Sequence, residues 1–307
     1  GSANPLMLPT LGDSLAGRMQ LVHLWPLSQG ELRGQEEDFI DRIFSNDPLD
    51  YNKCHITKKE LLSLIFTGGY PALQTLSTEI QRYDWCNGYL STLIQKDIAD
   101  LAKIENIHAI PNLLKILASR CGSTLNERAL SRDIGLPLTT LRRYLQLLHS
   151  LFFVVTLPGW FRNIEKRIVK SPKIYFVDTA LLLHILSFDE KRLLGNPKLF
   201  GHVIENFVLG ELLKQLSWSS TIAQPYHFRL HDGEIEVDIV LENRAGQVVG
   251  IEVKSSETVV ADDFKNLKEL QKIVGKDFVR GIVFYTGNKQ GSFGTNLHAI
   301  PISALWD

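Results

Sequence analysis

The chain has 307 residues, 44% of them hydrophobic and 22% charged, with a formal net charge of −1. That composition excludes disordered and fibrous classes and leaves room for two or three domains with cores of their own. No run of about 18 apolar residues and no signal-peptide pattern occurs, which argues against membrane insertion and secretion. Cys54, Cys86 and Cys121 lie too far apart for a zinc or disulfide frame and read as reduced thiols of a cytoplasmic protein.

The first residues look like the interior of a domain. Gly1-Ser2-Ala3-Asn4 followed by Leu15-Ala16-Gly17-Arg18, then LWPLSQGEL from Leu24 to Leu32 and Gly68-Gly69-Tyr70-Pro71, resemble AAA-type ATPases of bacteria and archaea. The resemblance covers nearly the whole chain. It implies an ATPase core, a helical lid, a winged helix and a C-terminal domain of unknown function with a nuclease-like fold. No G-x-x-x-x-G-K-[ST] stretch occurs, so there is no backbone cradle and lysine to hold a triphosphate. The chain alone is therefore expected not to hydrolyse ATP, which would bind only to the complete protein. There Arg18 could sense a nucleotide or serve as a finger toward a neighbouring subunit; a capping or salt-bridging role is the plainer alternative. Homo-oligomerisation would run through the ATPase part. The divisions expected are an ATPase remnant over 1–30, a helical lid and linker over 31–107, a winged helix-turn-helix region over 108–195 and a nuclease-like domain over 196–307.

Residues 31–107 read as helices with polar loops: apolar positions recur at helical spacing from Glu60 to Phe66 and again from Glu79 to Ala102. Asp97 and Asp100 in the second run read as solvent-facing. From His108 the order is a helix opened by Pro111, a second from Asn126 to Ile134, a Gly135-Leu136-Pro137 turn and a third from Thr139 to His149. Two apolar strands follow, Phe152 to Leu157 and Ile174 to Val177, with a basic segment between them. This is the pattern of a winged helix. In the last helix Leu141, Leu145 and Leu148 form the core stripe, which leaves Thr139, Thr140, Arg142, Arg143 and Gln146 for phosphates and base edges. Lys166 and Arg167 of the basic segment join them. Between Arg120 and Lys173 ten Lys and Arg face three Asp and Glu, a local +7; between Phe200 and Asp307 the count is ten against fourteen, a local −4. A nucleic acid, DNA first, would land on the basic middle. The alternative is a packing or oligomerisation module.

Past Gly195-Asn196-Pro197 a helix is expected from His202 to Leu216, with Val203, Phe207 and Gly210 as its packing stripe and Glu205 off it. Glu211 is turned elsewhere and should pair with a cation. A strand from Tyr226 to Leu230 turns at His231-Asp232-Gly233 into EIEVDIVLENRAGQVVGIEVK, Glu234 to Lys254. His227 and His231, roughly 13 Å apart along such a strand, could not share an ion. In the long segment Ile235, Val237, Ile239 and Leu241 alternate with acidic positions, and Val249, Ile251 and Val253 alternate with Glu252 and Lys254. A three-residue loop Arg244-Ala245-Gly246 ending in a left-handed glycine pairs Ile239 with Ile251, Val237 with Val253 and Asp238 with Glu252. Asp238, Glu252 and Lys254 then share one polar face. A helix from Asp262 to Val274 and strands from Val279 to Tyr285 and Leu297 to Ile300 complete a mixed sheet flanked by helices.

Two adjacent carboxylates repel unless a cation lies between them, and Mg²⁺ or Mn²⁺ would take their oxygens while keeping waters and a substrate phosphate. Lys254 would orient or deprotonate the attacking water. Asp238 followed by Glu252-Val253-Lys254 resembles the PD-(D/E)XK motif of restriction-endonuclease-like nucleases. That family often adds an acid on the helix before the sheet, a role that falls to Glu205. The fold expected is all-α followed by α/β: a helical lid and winged helix-turn-helix, then a restriction-endonuclease-like mixed sheet flanked by helices. The function implied is metal-dependent phosphodiester hydrolysis, with catalytic residues Glu205, Asp238, Glu252 and Lys254, the three acids also holding the metal. A non-catalytic DNA- or protein-binding regulatory module of an ATPase is the alternative.

Overall fold

The computed structural model describes residues 22–45, 47–49, 55–94, 109–163, 165, 167, 171–230 and 233–307. Arg18, the Leu15–Arg18 stretch, Cys54, Asp97, Asp100, Lys166 and His231 lie outside them. No described helix is long and apolar enough to cross a membrane.

The fold is mixed α/β, a helical first part leading to a six-stranded mixed sheet. The helical part opens with α1 (Gln29–Arg33), α2 (Phe39–Phe44), α3 (Lys58–Thr67), α4 (Pro71–Gln74) and α5 (Glu79–Thr92). Ser28, Thr57 and Thr78 start α1, α3 and α5 as capping boxes with Glu31, Glu60 and Gln81, satisfying backbone donors that a helix start leaves open. Three helices follow: α6 (Ala109–Ser119), α7 (Glu127–Ile134) and α8 (Leu138–Ser150). Asn126 caps α7 and Gly135 ends it in the left-handed region, as the Asn and Gly of the sequence suggest. Strands β1 (Val154–Leu157) and β2 (Lys173–Phe176) form a separate antiparallel pair. Its partner turn at 122–124 leans on β2, with Gly122 N–H donating to Ile174 O at 2.8 Å and Ile174 N–H to Ser123 O at 3.1 Å.

Helices α9 (Thr179–Leu186) and α10 (Glu190–Leu194) lead to the long α11 (Pro197–Leu216), which starts earlier than its apolar stripe suggests because Asn196 caps it and Pro197 occupies the first turn. Strands β3 (Ala223–Leu230), β4 (Ile235–Asn243), β5 (Val248–Lys254), β6 (Phe278–Tyr285), β7 (Gly291–Gly294) and β8 (Leu297–Pro301) order as β3-β4-β5-β6-β8-β7. β5, β6 and β8 run parallel to one another and the other pairings are antiparallel. Ile239, Leu241, Val249, Ile251 and Val253 pack in one core with Val203 and Phe207 of α11. Val240 and Val248 pack in the other with Leu267, Leu270 and Val274 of α12 (Lys265–Val274). The short β7, absent from the sequence reading, is mostly small residues, which carry little periodic signal.

The β4–β5 turn takes the expected form: Gly246 has φ +79°, its N–H donates to Asn243 O at 2.9 Å, and Asn243 Oδ1 accepts from Ala245 and Gln247 N–H at 3.0 Å each. Ile239 pairs with Ile251 as expected, but the ladder stops there. The expected Val237–Val253 and Asp238–Glu252 pairs are not ladder pairs. The cause lies on the other side of β4. Tyr226 pairs with Val240 and Phe228 with Val237, so Asp238 and Ile239 both stand opposite the single His227. This bulge interrupts the alternation and turns Val237 into the core under α12, while Ile239 stays under α11.

Only a residue that tolerates a positive φ holds this turn without strain. Gly246→Val is expected to lower stability by about 1–2 kcal/mol, and Gly246→Asn by clearly less, in urea unfolding followed by circular dichroism.

Candidate functional site

Where β4 and β5 part beyond Ile239 and Ile251, the side chain of Asp238 takes over the role of a backbone partner. Its Oδ2 accepts the Val253 N–H at 2.9 Å. Asp238 is thereby held at the split, reachable from both faces of the sheet.

On the α12 face, reached by the even residues of β5, stand Glu252 and Lys254. Lys254 Nζ donates to Glu252 Oε2 at 3.1 Å, and Asn266 Nδ2 of α12 reaches Glu252 Oε1 at 3.5 Å. Burial, and after it the charge of Asp238, push Glu252 well above the usual carboxylate range against the pull of Lys254. The Lys254 ammonium is raised because the charges of Glu252 and Asp238 outweigh its own partial burial. The three residues of the D…E-x-K pattern therefore do meet.

Glu205 approaches Asp238 from the other side. It lies on α11, over the opposite face, and its carboxylate is taken by β2: Lys173 Nζ donates to Glu205 Oε1 at 2.9 Å and the Tyr175 hydroxyl to the same oxygen at 2.5 Å. His202 Nδ1 is 3.6 Å from Glu205 Oε2. Burial alone would raise the Glu205 carboxyl, but Lys173, with His202 and Tyr175, overrides it and holds the group at about 2. The Lys173 ammonium also lies 2.8 Å from Glu236 Oε1 and 3.6 Å from Asp238 Oδ1, with its side chain only 2% exposed. Asp238 itself is raised, by burial first and then by the charge of Glu205, with Lys173 and the Val253 N–H opposing. The expectation that α11 brings a third acid to the Asp238–Glu252 pair meets a lysine: α11 packs on the face of β5 opposite the Glu252 and Lys254 side chains, and the Lys173 ammonium of β2 stands between Glu205 and Asp238.

Close packing makes this possible. Gly122, at φ +73°, sits so near α11 that a Cβ there would meet His202 Nδ1 at 2.5 Å and Glu205 Oε2 at 3.2 Å. Arg229 Nη1 donates to Thr124 Oγ1 at 3.1 Å, and its Nε is 3.7 Å from Glu236 Oε2. Lys173, Tyr175, His202, Glu236 and Asn266 carry no motif that sequence reasoning could single out. The one signal was a lysine heading the buried run KIYF, since a charge in such a strand must find a partner.

The donor chemistry suits a hard divalent cation at Asp238 and Glu252, two carboxyl groups near enough that the charge of one raises the other. Glu205 faces that pair only across the Lys173 ammonium, which stands between it and Asp238. Among the described residues no group of three or more His, Cys, Asp or Glu side chains is arranged to hold a metal ion.

On α8, Thr139, Arg142, Arg143 and Gln146 are exposed and Thr140 half-buried, all away from the Leu141, Leu145 and Leu148 stripe. Arg142 Nε pairs with Glu127 Oε2 at 2.7 Å. Arg167 does not belong to this face. Its guanidinium is claimed by Glu242, with Nη2 on Oε1 at 3.0 Å, and lies over the rings of Tyr226 (4.9 Å) and Trp160 (5.5 Å). An acid on β4 and two aromatic faces outcompete solvent for it. Glu211, as expected, finds a cation: Lys214 Nζ is 2.5 Å from its Oε1.

Because burial and Asp238 raise the Glu252 carboxyl above its ordinary value of 4.5, its contribution is present below that value and is lost as pH rises through the raised one. Glu252→Gln, which mimics the protonated group, is expected to be more stable than the wild type by about 1 kcal/mol at pH 8 and to differ less at pH 5, in urea titrations.

Residues 200–305 match the model of a family described as Domain of unknown function (DUF4143), and residues 58–192 match another, Domain of unknown function (DUF8612). Uncharacterized proteins of Mycobacterium tuberculosis and Mycobacterium bovis are each 30% identical over 306 residues, which is 99% of this chain. The chain spans 62% of the length of these relatives. It therefore carries a DUF4143 domain and has distant mycobacterial homologues.

Proposed function

We propose that the chain is part of an AAA-type ATPase in which residues 200–305 form a restriction-endonuclease-like domain that hydrolyses phosphodiester bonds in nucleic acid. In this reading α6, α7, α8 and the β1–β2 pair form a winged helix that binds DNA. The observation that carries it is the meeting of Asp238, Glu252 and Lys254 at the split between β4 and β5. Bulges beside strand splits serve to re-aim side chains, and this one sets an acid between two strands.

Asp238 and Glu252 would hold Mg²⁺ or Mn²⁺, which supplies charge neutralisation at the phosphate and a more acidic water. Lys254 would orient the attacking water and balance the charge that grows on the phosphate oxygens. Asn266 would keep Glu252 turned toward Asp238. Thr139, Arg142, Arg143 and Gln146 would fix the duplex through its phosphates.

A second reading is favoured by a specific observation, the burial of Lys173 against Glu205 and Asp238. Such internal neutralisation suits a non-catalytic DNA- or protein-binding regulatory module of the ATPase.

Plasmid and branched DNA incubated with the purified chain and Mg²⁺ or Mn²⁺ separate the two. Hydrolysis is expected, falling by about a hundredfold or more in Lys254→Ala. Equal, metal-independent cleavage by both proteins would remove the hydrolase reading. Binding that persists under chelator without any cleavage would support the regulatory module. In either case Arg143→Ala should weaken DNA binding and reduce the slope of log affinity against log salt by about one.

A further inference from the structure

Lys173 differs from an ordinary interior ion pair in where it comes from and in what it touches. It belongs to β2, outside the 200–305 region, yet its ammonium bridges Glu205 of α11 and Glu236 and Asp238 of β4. Two neighbours hold it in that place. Tyr175, two residues along the same strand, donates to Glu205, and the 122–124 turn leans on α11 through Gly122 and on β3 through Thr124 and Arg229. The whole β2 edge is thus seated on the acids, and Asp238, the residue common to both faces, is one of them.

We propose that Lys173 is a built-in counter-ion that ties the α6–β2 unit to the carboxylates and weakens divalent-cation binding at Asp238. The proposal rests on Asp238 and Glu252 being the cation site of the function proposed above. An ammonium 3.6 Å from Asp238 satisfies the same charge that a divalent cation would satisfy, and adding the cation while the ammonium stays would set two positive centres side by side. The cation and Lys173 therefore compete. β2 and α8 share one core, with Tyr144, Leu145 and Leu148 of α8 and Ile174 and Phe176 of β2, and that core also takes in Val203 of α11 and Ile239 of β4.

The test is Mn²⁺ binding by the full chain, followed by isothermal titration calorimetry, with no activity required. Lys173→Met is expected to bind Mn²⁺ about tenfold tighter or more than the wild type. Glu236→Gln, which removes an anchor of Lys173 that is 32% exposed and outside the proposed cation site, should shift affinity the same way by a smaller factor. Adding Asp238→Asn to either variant should abolish the gain. Should Lys173→Met fail to fold, as judged by circular dichroism, Glu236→Gln decides alone. Affinity that stays equal or weakens in the folded variants, while Asp238→Asn still abolishes binding, overturns the counter-ion role and leaves the cation site standing. Absence of Mn²⁺ binding in every form overturns both.

Discussion

Carboxylates cannot be taken out of water together without something to offset their mutual repulsion, and the fold is arranged around that constraint. Glu205, Glu236, Asp238 and Glu252 converge where β4 and β5 separate, and each is compensated differently. Lys173 serves the first three from one side, Lys254 serves Glu252 from the other, and Glu252 and Asp238 share what compensation is left. Removing one partner of such a buried set leaves an uncompensated charge, which is far more costly than the set as a whole is stabilising.

The helical part and the sheet are joined by this chemistry as well as by apolar packing. The two domain-of-unknown-function matches stop and start between residues 192 and 200, but the strongest polar contacts cross that line. Lys173 with Glu205, Asn206 with the backbone of Phe176, and Thr124 with Arg229 all span it. A boundary visible in sequence similarity is therefore not a seam in the packed molecule.

Much of the architecture was legible because it is local. Asn126 and Gly135 mark the ends of α7, and a left-handed Gly246 fixes the β4–β5 register. Period-2 alternation found β4 and β5 and brought Asp238, Glu252 and Lys254 to one place. What it could not show was the extra residue opposite His227, since a bulge leaves no trace in the pattern of the bulged strand alone. That single residue explains why Val237 changes cores. Lys173 was illegible for a different reason: its partners are distant in sequence, and a lysine counted toward a basic surface looks the same as one destined for the interior. Arg167 shows the same ambiguity, since its engagement with Glu242 depends on tertiary proximity.

Helix α11 links two anionic clusters that otherwise have nothing in common. Toward its start Glu205 meets Lys173, and two turns later Glu211 accepts the Gln29 N–H at 2.7 Å beside Lys214, which in turn donates to Leu27 O at 3.0 Å. Most residues between them are buried, so the helix has no free side on which to roll. It works as a strut: the Leu27–Gly30 segment and the acids at the split sheet are held on one rigid element, their anchor points some 9 Å apart at helical rise, about 1.5 Å per residue.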